Sequence, residues 1–180
     1  MKEGKWGKNM VDTFHIKENR PFPNNELPVL YWPKAVEEWT NEKKAGQKVL
    51  ALFEKNGYTN GWVNGIFPYH HFHSNTHEVL ACIAGEAKVQ LGGPDAETYT
   101  FAKGDVLLLP AGVAHKRLEA TADFQIVGAY PNGQKPDMQK GDTESYEDLK
   151  QRASQVKVPE TDPLDGAAGA VQQHWKNKAQ

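Results

Sequence analysis

The stretch 65-GIFPYHHFHSNTHEVLACIAG-85 decides how the chain reads. Four of the seven histidines lie in it, at positions 70, 71, 73 and 77, and a glutamate follows at 78. Side chains at i and i+2 share one face of a strand, so His71 and His73 project the same way. Their Cβ atoms would stand about 7 Å apart, close enough for both imidazoles to reach one ion. Glu78 and an imidazole from a distant strand would complete a mixed nitrogen and oxygen shell. Such a shell suits one divalent transition metal ion (Fe, Mn, Ni, Co, Cu or Zn) better than Ca or Mg, which favour oxygen ligands alone. On spacing alone, a solvated polar loop explains the histidines equally well.

The sequence around this stretch is β-like. Short apolar runs recur at 62–67, 78–84, 87–91, 97–101, 105–109, 115–120 and 124–130, separated by Gly-Gly-Pro-Asp at 92–95, Lys-Gly-Asp at 103–105 and Pro-Ala-Gly at 110–112. Runs of this length and punctuation predict a sandwich or barrel. Several are apolar on both faces, which predicts that their outer face is covered too, by the N-terminal zone or by another subunit. Residues 1–60 read as an N-terminal extension packed on the barrel: an extended Pro- and Asn-rich segment from Pro21 to Tyr31, then helix. Pro33 is placed to open a helix, Val49, Leu52 and Phe53 have helical spacing, and Gly57 suits a helix C-terminus. Residues 61–130 form the barrel core. In 131–180, Ser145 and Asp148 have the form of a capping box before a helix carrying Leu149, Ala153 and Val156, and the tail after Pro159 is expected to wrap loosely over the domain. One domain results.

A second stretch, 104-GDVLLLPAGVAH-115, supplies the distant imidazole. Gly65-x5-His71-x-His73-x4-Glu78-x6-Gly85 and Gly104-x5-Pro110-x-Gly112-x2-His115 together resemble the two motifs of the cupin superfamily. The one departure is Glu119, where that family commonly has Asn. The wider sequence is similar to the small bacterial cupins of the YjlB type. The resemblance implies an all-β double-stranded β-helix, the cupin jelly-roll barrel, with short N- and C-terminal helical extensions. It also implies His71, His73, Glu78 and His115 as metal ligands. Gly65, Gly85, Gly104 and Gly112 are read as strand-end residues where a turn or close approach favours a missing Cβ, and Pro110 as fixing the turn before His115.

The neighbours of the motifs have both ordinary and functional readings. His77 is a donor behind the ligands, a substitute ligand or, most often for such a residue, solvent-facing. His15 and His174 are surface residues. Cys82 is a small buried side chain rather than a nucleophile. A regular strand aims Arg117 inward beside His115, where it pairs with Glu119 or holds an anionic substrate; pairing is the ordinary outcome, and a bulge or an early strand end would turn Arg117 outward and remove both. Trp62 and Tyr130 are candidate substrate-binding residues, with Phe67, Tyr69, Phe72 and Phe124 divided between core and pocket mouth.

Composition narrows the function. The 180 residues are 38% hydrophobic and 24% charged, with a formal net charge of −2 at pH 7. No basic excess suggests nucleic acid, and no apolar run is long enough to cross a membrane. A single cysteine excludes an intramolecular disulfide and suits the cytoplasm. Three histidines and a carboxylate leave one or two positions open on a five- or six-coordinate ion, the arrangement of a catalytic rather than a structural site. The expectation is a metal-dependent enzyme, of oxygenase or isomerase/epimerase type, acting on a small polar metabolite. The alternative is a non-catalytic module that binds a small ligand or is stabilised by its metal. A homodimer is expected, as cupin barrels commonly pair through their sheets.

Overall fold

A computed structural model describes residues 10–176 of the chain. The strands are β1 (Asp12–Phe14), β2 (Val29–Trp32), β3 (Tyr58–Asn64), β4 (Glu78–Ala84), β5 (Glu86–Leu91), β6 (Thr98–Ala102), β7 (Val106–Leu109), β8 (His115–Ala120) and β9 (Gln125–Pro131). The helices are α1 (Glu37–Thr40), α2 (Ala45–Lys55), α3 (Tyr146–Ser154) and α4 (Ala170–His174). A six-stranded sheet runs β1-β2-β7-β4-β9-β3 and a three-stranded sheet runs β6-β5-β8. All pairings are antiparallel. Together the two sheets form a double-stranded β-helix.

Period-two alternation builds the interior. Leu80 and Cys82 of β4, Leu107 and Leu109 of β7, and Ile126 of β9 point into the barrel. There they meet Ala87, Val89 and Leu91 of β5. The alternate residues, such as Val79, Ala81 and Ile83 of β4, point outward and are buried as well. They pack under Val49 and Phe53 of α2, Ala170 and Val171 of α4, and Trp175. The chain's own flanking segments therefore cover the outer face of the larger sheet.

Several expectations need correction. The segment read as merely extended supplies β2, which pairs with β7 through Leu30↔Leu108. Residues 33–36 are turns, and the first helix begins at Glu37 rather than at Pro33. Ser145 precedes α3, but its backbone (φ −96°, ψ 10°) is not the extended one a cap requires, and its side chain makes no capping bond. Val156 lies beyond the end of that helix. The tail is tightly docked: Trp175 is 2% exposed, and its indole N–H donates to Pro28 O at 2.7 Å. Gly57 has φ +86° just past α2, as expected of a C-terminal glycine. No helix among the described residues is long and apolar enough to cross a membrane.

Candidate metal centre

The first motif approaches the second through a backbone bridge rather than along a regular strand. His71 N donates to His115 O at 3.2 Å, and His115 N donates to His71 O at 2.9 Å. Val113 N donates to Pro110 O, closing the turn before β8. Within this turn Gly112 has φ +89°, and its N–H donates to His73 O at 2.8 Å. A Cβ there would lie 2.5 Å from Asn24 O, so the close approach of the two loops requires glycine. Gly85 and Gly104 also have positive φ, whereas Gly65 does not and has open space around it. The expectation of a constrained turn fails at Gly65.

The result is a compact donor set. His71, His73 and His115 are buried, and one nitrogen from each lies within 4.8 Å of the other two. Glu78 Oε1 lies 3.3 Å from His73 Nε2 and 3.5 Å from His115 Nε2. Backbone carbonyls fix the tautomers. His71 Nδ1 faces Tyr69 O at 3.0 Å, His73 Nδ1 faces Asp137 O at 2.6 Å, and His115 Nδ1 faces Val113 O at 3.1 Å. A carbonyl only accepts, so each Nδ1 bears a proton and each Nε2, when not itself protonated, offers its lone pair. Three lone pairs and a carboxylate converging in this way fit a divalent transition metal ion.

Electrostatics agree with the geometry. Burial pushes His71 down to about 3, helped by the neighbouring His115. Burial would also lower His73, but the Glu78 carboxylate outweighs it and raises that imidazole. Glu78 is lowered despite complete burial, because His73 and His115 together outweigh the desolvation. It therefore keeps its negative charge at neutral pH. Burial, then Glu78, raises the Tyr130 phenol and keeps it protonated.

Two residues that no local signal marks hold the motif loops. Asp137 accepts His73 Nδ1–H through its carbonyl, and its carboxylate accepts from Ser74 N at 2.7 Å, from the Ser74 hydroxyl and from Gln139 Nε2 at 2.9 Å. Asn24 plays the same part behind His115. Its Oδ1 accepts from Ala114 N at 3.1 Å, while its Nδ2 donates to Lys17 O and Gly92 O. His77 is neither ligand nor solvent-facing. It is 1% exposed; Nδ1 accepts from Ala111 N at 2.9 Å and Nε2 donates to Lys157 O at 3.1 Å. Burial lowers it to about 4, so it is a neutral brace under the second motif. Cys82 is buried in the barrel interior, and that burial pushes its thiol up to about 12.

A cavity of about 720 Å³ opens from the donor set to solvent. Trp62, Phe67, Phe124, Ile126, Tyr130 and Arg117 are among its walls. Trp62 Nε1 donates to the Tyr130 hydroxyl at 2.8 Å. Phe72 instead belongs to a small buried cluster with Phe22, Ala114 and Leu149, and Tyr69 stacks on Phe67 at 5.1 Å. The expected Arg117–Glu119 pair does not form. The β5–β8 register runs Val89↔Arg117 and then Lys88↔Glu119, leaving Leu118 as an extra residue. This bulge turns Glu119 outward beside Lys88, while Arg117 keeps the inward face. Arg117 Nε donates to Ile66 O at 3.2 Å.

The comparisons accord with this architecture. The sequence model of the Cupin domain matches residues 62–123. The uncharacterised protein YjlB of Bacillus subtilis (strain 168) is 32% identical over 166 residues, spanning 92% of this chain and 96% of its own. Among solved structures, acireductone dioxygenase from Bacillus anthracis overlaps 61% of this chain and 82% of its own, with 19% identity and a TM-score of 0.42. The QdtA 3,4-ketoisomerase from Thermoanaerobacterium thermosaccharolyticum overlaps 53% and 75%, with 18% identity and a TM-score of 0.42. With both motifs in register across a double-stranded β-helix, and a full-length relative on record, the chain belongs to the cupin superfamily and is of the YjlB type.

Proposed function

We propose that the protein is a metal-dependent enzyme acting on a small polar metabolite, with oxygenase or isomerase/epimerase chemistry. One observation carries the reading: three Nε2 lone pairs and the Glu78 carboxylate converge at the wall of an open cavity. His71, His73, Glu78 and His115 would hold the ion. When bound, such an ion supplies Lewis acidity or a site for oxygen chemistry. The chain's own residues do the rest. Carbonyls of Tyr69, Asp137 and Val113 keep the imidazoles in one tautomer. Trp62 orients the Tyr130 hydroxyl, a protonated group beside Glu78 that can donate to a bound molecule.

Elemental analysis of purified protein is expected to find a transition metal near one equivalent, and His73→Ala to lose it. Screening of Fe- and Mn-loaded protein against small metabolites is expected to give turnover that the same substitution abolishes. Tight binding of a metabolite with no turnover would replace the enzyme by a binding module. The proposal includes a homodimer in the cytoplasm; light scattering of a clean monomer would remove the first element.

A further inference from the structure

Among the described residues, Arg117 is the one lysine or arginine lining the cavity. Its Nε is committed to Ile66 O, while its two amino groups have no protein acceptor among the described residues. The carboxylates that share the cavity are engaged elsewhere. Glu78 faces the histidines, and Asp137 is held by Ser74, Gln139 and, at 3.6 Å, Arg152. The free edge of the guanidinium is a planar pair of donors matched to a carboxylate.

The walls specify the rest of the ligand. Five large hydrophobic side chains are exposed among the described residues, and two of them line the mouth of this cavity: Phe67 (47%) and Met138 (42%). Apolar surface gathered at a cavity mouth marks a place where an apolar body docks. His115 and Arg117 are two residues apart on the inner face of β8, so their Cβ atoms are about 7 Å apart. A ring-sized body bridges that separation.

We propose that the cavity selects an organic acid, with its carboxylate on Arg117, its apolar body against Trp62, Phe67 and Phe124, and an oxygen donor turned toward His71, His73, Glu78 and His115. Only the placing of the oxygen donor rests on the metal reading above; the carboxylate and the body rest on Arg117 and the walls. With Arg117 the only lysine or arginine on the wall among the described residues, its single positive charge matches a carboxylate better than a phosphate dianion.

The test uses full-length protein loaded with Mn(II), its metal content measured, and calorimetric titration with para-hydroxybenzoate, its neutral amide and phenyl phosphate. The acid should bind about 10- to 100-fold more tightly than the amide, the difference expected for a charge-assisted contact. Arg117→Gln should level the two, and Arg117→Lys should fall between, with metal content unchanged in both. Equal binding of acid and amide, a preference for phenyl phosphate, a preference that survives Arg117→Gln, or no binding of the acid at about 1 mM would overturn the inference. Protein that takes up no Mn(II) would sink the metal reading instead, and the acid–amide comparison on that metal-free protein would still decide the role of Arg117.

Discussion

The two sheets obey the same pleat but face different surroundings. In β4 six of the seven residues are buried, because the barrel interior takes one face and α2, α4 and Trp175 take the other. In β5 exposed Glu86 and Lys88 alternate with buried Ala87, Val89 and Leu91. The larger sheet is thus a fixed wall. The smaller is a one-sided sheet that meets water, and it carries His115 and Arg117 on its inner face. The candidate centre joins the two, with Glu78 on the wall and His115 on the wet sheet. A carboxylate buried in the wall is tolerable because two imidazoles face it.

That contrast can be broken by substitution. The largest effect is expected for Trp175→Ala, which empties the outer layer of the wall and strands Pro28 O. Denaturant unfolding should show a loss of about 3–5 kcal/mol, and a loss below about 1 kcal/mol would mean that the outer layer contributes little. Next is the ion, as a link between the sheets. At a hundredfold excess over its dissociation constant it should add about 2.7 kcal/mol of stability; chelation that leaves the melting temperature unmoved would show that no ion joins them. Asp137→Ala keeps the backbone carbonyl that faces His73 but loses the carboxylate that anchors that carbonyl to Ser74 and Gln139. It should weaken metal binding by about 10- to 100-fold through a loosened His73. Asp137→Asn, which keeps one side-chain acceptor oxygen, should recover most of that affinity in a competitive chelator titration. The smallest effect belongs to the wet face: Lys88→Ala should change stability by no more than about 0.5 kcal/mol. A larger loss would mean that this face is covered by a partner.

Much of this was legible locally. The spans of β4 and β8 follow directly from the sequence, because 78–84 is apolar at all but its first residue and 115–120 lies between turn signals. Edges slipped by a residue in β5, β6, β7 and β9, where chain polarity changes gradually. β3 starts earlier and ends earlier than its aromatic run suggests, because the carbonyls of Ile66 and Phe67 leave that sheet to meet Arg117. β1 and β2 were hidden for a different reason. They are three and four residues long; β2 pairs with β7, which is remote in sequence, and β1 is held by β2. The three histidines that the motifs pick out do converge, whereas the supports at Asn24, His77 and Asp137 reach the motifs through backbone hydrogen bonds to residues distant in sequence.

The extra residue at Leu118 has a consequence for how relatives should be compared. Were Leu118 paired in a regular strand, Glu119 would return to the inner face beside Arg117, and the two charges would cancel. The sign of the charge offered to a ligand is therefore written in whether β8 bulges between Arg117 and Glu119, and not only in the letters it contains. A relative with the same letters and an unbulged β8 would offer a different charge while every motif position stayed intact. In sorting relatives by what they accept, the register of β8 against β5 is the more informative character.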